Sequence, residues 1–233
     1  MDYIIAATPR TGSTMLCDLL GQNGIGDPKE HLNPDAGAST FALALARRVP
    51  AERYLDWARS RDTCNGWFGT KIMPHWLPII NAACEAPRHR TADALQHLIP
   101  DARYIMLKRH DIVGAAVSHT LSLKSGNWWT PPPADLPVSP KEIHENLMWL
   151  RTCESEWNQI FMSLGIEPLR VYYEDLASSP GESFSEILEY LGAAPEGALS
   201  LRARTPVLRS ARSAELAAAY LGWLESLHPE APP

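Results

Sequence analysis

The first twenty residues, Met1–Leu20, constrain the fold of this chain more than any other stretch. A short apolar run at Tyr3–Ala7 has the length and β-branching typical of a buried parallel strand. A loop of small and polar residues follows at Thr8–Thr14, and Met15–Leu20 then carries apolar residues at helical spacing. A strand, a small-residue loop and a helix in this order hold phosphates in α/β proteins, because the loop N–H groups and the helix N-terminus converge on the anion.

This loop also carries the side chains that a phosphate site needs. Gly12 lets the backbone approach an anion closely, Ser13 and Thr14 offer hydroxyl donors, and Arg10 offers a planar, forked cation. The nucleoside-triphosphatase loop reads GxxxxGKS/T, and here both its first glycine and its lysine are missing. The loop is therefore predicted to bind a phosphate without the apparatus for a magnesium triphosphate.

Strands and helices alternate along the rest of the chain. Further buried strands are predicted at Cys64–Met73, Arg103–Lys108 and Pro168–Tyr173. Helices are predicted at Ser39–Arg48, Ala51–Arg61, Trp76–Cys84, Thr91–Leu98, Ile112–Lys124, Pro140–Leu164, Ser179–Leu191 and Ala214–Leu227. This alternation predicts an α/β fold, a P-loop-like, doubly wound parallel β-sheet flanked by helices, whose ligands bind off the carboxyl ends of the strands.

Composition limits the size, partners and location of the protein. A chain of 233 residues with 45% hydrophobic residues can bury one core, so a single domain over residues 1–228 is expected, with a frayed tail at 229–233. The net charge of −6 argues against a general nucleic-acid binder. The cysteines are scattered and lack the spacing of metal ligands, which argues against structural zinc. The chain has no run of 18 apolar residues, so no membrane span is expected. Without a signal-peptide pattern, a cytoplasmic location is expected.

A second set of anion-binding side chains lies further along the chain. Arg109 follows the third predicted strand, and Ser118 is on the next predicted helix, on the face that it shares with position 111. Arg209 and Arg212 lie in a polar loop before the last helix. Two separate phosphate sites without a Walker lysine fit a nucleotide that is phosphorylated at both ends.

In these segments the chain resembles the sulfotransferases that use 3′-phosphoadenosine 5′-phosphosulfate. The run TPRTGSTML at Thr8–Leu16 is similar to their 5′-phosphosulfate loop, and YIMLKRHDIVGAAVSH at Tyr104–His119 is similar to their 3′-phosphate motif. The run VYYEDL at Val171–Leu176 resembles a late strand of the same superfamily. The resemblance implies this donor, adenosine 3′,5′-bisphosphate as product, and no metal. It implies donor binding by Arg10, Thr11, Gly12, Ser13, Thr14, Arg109, Ser118 and Tyr173. Arg209 and Arg212, in the polar loop before the last helix, could close over the 3′-phosphate.

Within the superfamily the chain resembles in particular the bacterial trehalose 2-sulfotransferase (Stf0-type) branch. That branch carries Arg-Ser-Gly-Ser-Thr at Arg10–Thr14, a G-x-P-x-E segment that matches Gly26–Glu30 and a G-x-K-L/I-M strand that matches Gly69–Met73. No match is found at Asn33–Asn65 or Trp128–Pro140, which would shape the acceptor pocket. The resemblance implies a homodimer and a small-molecule acceptor with a hydroxyl group, a sugar or a glycosylated metabolite.

The resemblance also implies which residues take part in the transfer. Glu30 matches the proposed base of the trehalose enzymes, and His31 is a second candidate because animal cytosolic sulfotransferases use a histidine. Arg10 would stabilise the leaving phosphate, and Lys71, at the end of a predicted strand, would neutralise the transferring sulfonate. By analogy with phosphoryl transfer, in-line attack by a hydroxyl needs both a base and such charge stabilisation.

Two other functions are compatible with this pattern. The first is a small-molecule kinase that uses Mg²⁺ and ATP, for which Asp111 could hold the metal, although the missing loop lysine counts against it. The second is a non-catalytic nucleotide-binding protein that keeps the 3′-phosphate site and lacks a base. In that case, replacement of Glu30 would change no measurable property.

Overall fold

The structure, a computed structural model, describes residues 1–35, 37, 39–133, 135–194, 197–204 and 210–227. Its strands are β1 (Asp2–Ala6), β2 (Phe68–Ile72), β3 (Arg103–Lys108) and β4 (Leu169–Tyr172). Its helices are α1 (Ser13–Gln22), α2 (Thr40–Ala46), α3 (Ala51–Asp62), α4 (Leu77–Ala82), α5 (Asp93–Leu98), α6 (Ile112–Ser125), α7 (Pro140–Leu164), α8 (Tyr173–Ser178), α9 (Pro180–Leu191) and α10 (Ala211–Leu227), with a 3₁₀ turn at Pro74–Trp76. The described residues of Met1–Lys108 and Cys153–Thr205 form one compact unit, and those of Arg109–Thr152 and Pro206–Pro233 form a second.

The sheet is parallel throughout the described part of the chain, and its strand order is β2-β1-β3-β4. Ile4 pairs with Thr70 of β2 and with Tyr104 of β3, so β1 is an interior strand. A parallel sheet is covered on both faces, which explains the continuous apolar run of β1 and the complete burial of Tyr3, Ile4, Ile5 and Ala6. The predicted α/β fold with a parallel sheet flanked by helices is confirmed. Since all strands run the same way, their carboxyl ends meet at one edge, where ligands of such sheets bind.

The core of the first unit is fixed to the end of β1 by a side chain from α7. Trp157 is fully buried and stacks on Phe161, with ring centroids 5.5 Å apart. Its indole N–H donates to the carbonyl oxygen of Ala7 at 2.9 Å. A buried carbonyl group without a partner costs about 1–3 kcal/mol, so this bond stabilises the place where β1 ends and the following loop begins.

The second unit has a core of its own, formed by α6, the first half of α7 and α10. Its buried members are Ala115, Ala116, Val117, Leu121, Ile143, Leu150, Leu216 and Tyr220. The carboxylate of Asp111 accepts a hydrogen bond from the Gly114 N–H at 2.8 Å and caps the N-terminus of α6. At the start of α7, Ser139 N–H donates to Glu142 Oε2 at 2.7 Å and Glu142 N–H donates to Ser139 Oγ at 3.3 Å, which together form a capping box.

The second predicted strand is wrong at its start, because β2 begins only at Phe68. Cys64 and Trp67 exchange two backbone hydrogen bonds, of 3.0 and 2.8 Å, across a tight turn. The central residues of this turn, Asn65 and Gly66, have φ angles of 50° and 77°, as in a type I′ turn. An Asn-Gly pair is the strongest short-range signal for such a turn, and the prediction of one continuous strand overlooked it.

Most other boundaries lie one to three residues from the predicted ones, and two of these shifts change the type of structure. The fourth strand ends one residue earlier than predicted, because Tyr173 begins α8. The helix predicted at Trp76–Cys84 is a 3₁₀ turn followed by α4, which ends at Ala82. Within the described ranges, no helix is long and apolar enough to cross a membrane. The single domain over residues 1–228 stays a prediction, and the tail at 229–233 lies outside the described residues.

Candidate active site

The loop Thr8–Thr14, the predicted phosphate loop, turns sharply between β1 and α1. Gly12 precedes α1 and has a φ of 79°, in the left-handed region that glycine adopts without strain. Arg10 has a φ of 65°, a conformation that costs a non-glycine residue about 1–2 kcal/mol. The buried hydroxyl of Thr11 donates to the carbonyl of Thr8 at 2.7 Å, which ties the two sides of the loop together. Ser13 then begins α1, so the helix N-terminus opens at the loop.

Tyr173, the first residue of α8, packs on this loop. A Cβ atom built at Gly12 would overlap Cδ2 of the Tyr173 ring and would lie 2.9 Å from Cε2. Glycine is therefore required at position 12 by its φ angle and also by the space that the ring occupies. The structure brings Tyr173 to the predicted donor loop, and its contact with a donor stays a prediction.

Lys71, the next-to-last residue of β2, connects the phosphate loop with the loop that follows α1. Its Nζ atom lies 2.9 Å from Oε1 of Glu30 and 3.3 Å from Oγ1 of Thr14. The Lys71 side chain is 6% exposed, and a buried ammonium group is stable only when it is paired. The backbone N–H of Lys71 donates to the carbonyl of Lys29 at 2.8 Å, so the loop is joined to the edge of the sheet. Lys71 and Glu30, both predicted from the sequence, thus meet beside Thr14.

Both carboxylate oxygens of Glu30 have partners. Oε1 pairs with Lys71, and Oε2 accepts a hydrogen bond from Nδ2 of Asn33 at 2.8 Å. The side chain of Glu30 is nevertheless 34% exposed. The carboxylate is therefore held in one orientation and can still be reached by a hydroxyl group from solvent.

His31 follows Glu30 in the chain but contacts other groups. Its Nε2 lies 3.0 Å from Oδ2 of Asp62, and its ring centroid is 5.0 Å from that of Phe68. Its Nδ1 is buried and has no hydrogen-bond partner among the described residues. Burial lowers the pKa of His31 below its ordinary value of 6.5, and the favourable interactions with Asp62 only partly offset this. His31 is therefore neutral at pH 7 and donates its Nε2–H to Asp62.

Three predicted donor-binding residues lie in the second unit. Arg109 follows β3 directly, is mostly buried, and has its Nη2 atom 4.0 Å from Oδ2 of Asp111. Ser118 is half-buried on α6. Arg212 is on α10, which packs against α6, and its Nη1 lies 3.2 Å from Oε2 of Glu215. Arg109 and Ser118 are therefore partly enclosed, as the binding of a fixed anion requires.

The remaining predictions concern Arg209 and the metal carboxylate of the kinase alternative. Arg209 lies outside the described residues. Asp111, the residue considered for Mg²⁺, accepts the hydrogen bond of Gly114 N–H at the start of α6. Its carboxylate therefore has a helix-capping role, which needs no metal.

Asn33 and Asp62 are the residues of this site that the sequence did not single out. Asn33 donates to Glu30, and Asp62 contacts both Lys29 and His31. Asn33 stands before a proline, which signals a turn but says nothing about a side-chain partner. Asp62 is one of several charged residues on α3, and no local pattern distinguishes it from the others.

A predicted phosphate loop at a strand–helix junction, with a lysine of the neighbouring strand paired to a carboxylate beside it, is an arrangement suited to the transfer of an anionic group. The chain belongs to the Stf0 sulphotransferase family, whose model matches residues 2–221, and it is an enzyme of the sulfotransferase class. The family resemblance found in the sequence is thereby confirmed.

Comparison with individual proteins gives more distant similarities. The chain is 25% identical over 227 residues to trehalose 2-sulfotransferase of Mycolicibacterium smegmatis (strain ATCC 700084 / mc(2)155), with 83% of this chain and 85% of the relative covered. Sulfotransferase STF9 from Mycobacterium avium is 16% identical, with a TM-score of 0.47 over 99% of this chain and 69% of that chain. A sulfotransferase from Alicyclobacillus acidocaldarius is 13% identical, with a TM-score of 0.47 over 99% and 96% of the two chains. All three proteins bear the name sulfotransferase.

Proposed function

We propose that the protein transfers a sulfuryl group from 3′-phosphoadenosine 5′-phosphosulfate to a hydroxyl group of a small-molecule acceptor, a sugar or a glycosylated metabolite. The observation that carries this proposal is the 2.9 Å ion pair between Lys71 and Glu30 beside Thr14 of the phosphate loop. It brings a base and a cation to the position where a phosphate-linked group would be transferred. Membership of the Stf0 family supports the donor, and similarity to a trehalose 2-sulfotransferase supports the class of acceptor.

The phosphate loop is proposed to hold the 5′ side of the donor. Its N–H groups and the N-terminus of α1 would donate to the phosphate, and Arg10 would neutralise it. Packing of Tyr173 on Gly12 supports a role for this ring at the same loop. The 3′-phosphate is proposed to bind four residues that follow from the family motif and the arginine loop, namely Arg109, Ser118, Arg209 and Arg212.

Between the two candidate bases, the geometry supports Glu30. Its side chain is partly exposed and oriented by Lys71, whereas His31 is buried, with its Nε2 bonded to Asp62. Burial also lowers the pKa of His31, so this histidine is a poor proton acceptor at neutral pH. A base must lie within hydrogen-bond reach of the acceptor hydroxyl, and only Glu30 offers an oxygen that solvent-borne groups can approach.

In the proposed reaction one bond forms and one breaks. The acceptor oxygen attacks sulfur in line with the bridging oxygen of the phosphosulfate, and the hydroxyl proton passes to Glu30. The electron pair of the broken sulfur–oxygen bond stays on the 5′-phosphate of adenosine 3′,5′-bisphosphate, where Arg10 and the loop N–H groups would stabilise it. Lys71 would neutralise the charge on the moving sulfonate. No step in this scheme uses a metal ion.

The resemblance also supports a homodimer. The scattered cysteines support a reduced, cytoplasmic location, and the net charge of −6 supports a protein without a nucleic-acid partner. Sedimentation of the purified chain tests the dimer. We expect one species with twice the chain mass of 25.8 kDa. A species with the mass of a single chain at micromolar concentration would contradict the dimer and leave the transferase proposal intact.

Calorimetric titration tests the donor site. Wild type is expected to bind adenosine 3′,5′-bisphosphate without metal, and Arg109→Ala is expected to weaken binding by about 1.5–3 kcal/mol, the range for a hydrogen bond to a charged group. Arg170→Ala serves as the control, because Arg170 is partly exposed and pairs only with the exposed Glu167 in the described contacts. A preference for Mg-ATP, with equal affinity for nucleotides with and without the 3′-phosphate, would contradict the proposal and favour the kinase alternative.

A further inference from the structure

The two residues on either side of Glu30 are held by one carboxylate, that of Asp62. Nζ of Lys29 lies 3.0 Å from Oδ1 of Asp62, and Nε2 of His31 lies 3.0 Å from Oδ2. The backbone adds a third contact, because the N–H of Asp27 donates to the carbonyl of Asp62 at 3.2 Å. Asp62 is the last residue of α3, so the end of this helix is fastened to the loop at three points.

The contacts of the loop alternate along its sequence. Lys29 pairs with Thr70 as an extra rung of parallel sheet, so the chain is extended at this position. Successive residues of an extended chain point to opposite sides. Lys29 and His31 accordingly contact Asp62, while Glu30 between them contacts Lys71. Holding the two flanking side chains therefore fixes the direction in which Glu30 points.

The pKa of Asp62 favours its contact with Lys29 and His31 at neutral pH. Burial alone would raise the pKa of Asp62, but hydrogen bonds from Lys29 and His31 outweigh it and lower the pKa below its ordinary value. Lys29 also pairs with Asp27 at 2.5 Å, so the ammonium group lies between two carboxylates. Asp62 is thus ionised at neutral pH, and both of its oxygens accept hydrogen bonds from the loop.

We propose that Asp62 is a positioning residue for the transfer reaction, which acts by holding Lys29 and His31 so that the carboxylate of Glu30 stays against Lys71. This inference rests on the proposed function of Glu30 as the base. It gives His31 a structural part in place of a chemical one. It also gives α3 a role in a site to which it contributes no reacting group.

The first test compares Asp62→Asn with Asp56→Asn, a control on the same helix whose side chain is 78% exposed. Turnover is measured as release of adenosine 3′,5′-bisphosphate from the sulfuryl donor, with trehalose as acceptor and with water alone. We expect Asp62→Asn to lower turnover about 10- to 100-fold, the loss typical of a reacting group displaced by about 1 Å. Calorimetry should give an unchanged affinity for the bisphosphate, because the phosphate loop is a separate segment.

A double-mutant cycle separates positioning from a general loss of structure. Because Asp62 acts through Glu30, Asp62→Asn should cause no further loss of turnover in the Glu30→Gln background. A merely structural residue would lower turnover in both backgrounds and would weaken bisphosphate binding as well. Equal losses in the two backgrounds would therefore overturn the inference.

Lys29→Met provides a variant that should fold even if Asp62→Asn does not, since the Lys29 side chain is 52% exposed. It removes one of the two side-chain contacts of Asp62, and we expect a smaller loss of turnover in the same direction. Hydrogen exchange gives a readout that needs no acceptor. The N–H of Lys71, which donates to Lys29, should exchange faster in both variants and at the wild-type rate in Asp56→Asn.

The outcomes distinguish the two proposals. Full turnover in Glu30→Gln would mean that the proposed base is wrong. Loss of turnover in Glu30→Gln together with wild-type turnover in Asp62→Asn would overturn the role of Asp62 and leave the base in place. If wild type releases no bisphosphate with either acceptor, the exchange rate of the Lys71 N–H decides, and an unchanged rate in Asp62→Asn overturns the inference.

Discussion

Nζ of Lys71 lies 2.9 Å from Oε1 of Glu30, and the two partners differ in burial, with 6% of the lysine side chain exposed against 34% of the glutamate. The lysine belongs to a strand of the sheet, whereas the glutamate belongs to a loop that joins the sheet edge at Lys29. In the proposed reaction, the fixed lysine would stabilise charge and the accessible glutamate would accept the proton. In-line transfer needs this division, because the transition-state charge must meet preorganised groups while the acceptor must still enter.

Glu30→Gln is expected to lower turnover about 10²- to 10⁴-fold, the usual contribution of a general base. The amide keeps the size of the side chain but cannot take the hydroxyl proton, so the affinity for adenosine 3′,5′-bisphosphate should not change. Bisphosphate release and calorimetry measure the two quantities. Glu167→Gln, at a side chain that is 84% exposed, is the matched control. Equal turnover in wild type and Glu30→Gln would support a non-catalytic nucleotide-binding protein.

Gly12→Ala is expected to destabilise the fold by more than the replacement of a glycine whose built Cβ would meet no other atom. Gly165 has a similar φ of 64° and nothing within 4 Å of its built Cβ, so Gly165→Ala measures the backbone cost alone, about 1–2 kcal/mol. Gly12→Ala adds overlap with the Tyr173 ring, worth about another 1–3 kcal/mol. Urea unfolding gives both values. The double variant Gly12→Ala/Tyr173→Ala should recover part of the added loss, and equal costs at positions 12 and 165 would contradict the overlap.

Glu142 should make stability depend on pH in the acid range. A hydrogen bond from Lys124, together with the backbone and hydroxyl of Ser139, lowers the pKa of Glu142 from 4.5 to about 2. Because the folded pKa is the lower one, the stabilisation is complete above pH 4.5 and is lost as the pH falls towards 2. Urea unfolding between pH 5 and 2.5 should show a shallower dependence in Glu142→Gln than in wild type. Glu145→Gln, exposed on the same helix, should keep the wild-type slope.

His31 should make the stability of the fold depend on pH near neutrality as well. Burial lowers its folded pKa below 6.5, so the folded state favours the neutral ring. The stability that this confers is present above pH 6.5 and is lost as the pH falls below that value, because the unfolded state then binds a proton more readily. Chemical unfolding at pH 8, 6.5 and 5.5 should show a smaller loss in His31→Gln than in wild type. His89→Gln, at an exposed position, should show the wild-type loss.

The sequence predicted those parts of the fold that depend on local pattern. The apolar run of β1, the small-residue loop and the helix after it follow one another within twenty residues, and each has its own periodicity or composition. The meeting of Lys71 with Thr14 also agrees with the predicted sheet, since Lys71 lies near the carboxyl end of β2 and the loop with Thr14 follows the carboxyl end of β1, its parallel neighbour.

The contacts that the sequence could not predict join segments with no common pattern. Asp62 reaches Lys29 and His31 because α3 ends beside the loop, and that position depends on how the whole unit packs. The ring of Tyr173 meets Gly12 because β4 ends and α8 begins at that residue, whereas an extended strand was predicted there. Tertiary packing, which periodicity does not report, determines both contacts.

The hydrogen bond from Trp157 to the carbonyl of Ala7 has a consequence for the order in which the protein is made. β1 lies between β2 and β3, and both of these strands, like Trp157, follow it in the chain. On the ribosome, the segment Thr8–Thr14 therefore leaves the exit tunnel before the two neighbouring strands and Trp157. Domains generally fold as units during synthesis, so we expect the predicted phosphate-binding segment of the nascent chain to stay unformed until the helix around Trp157 has emerged.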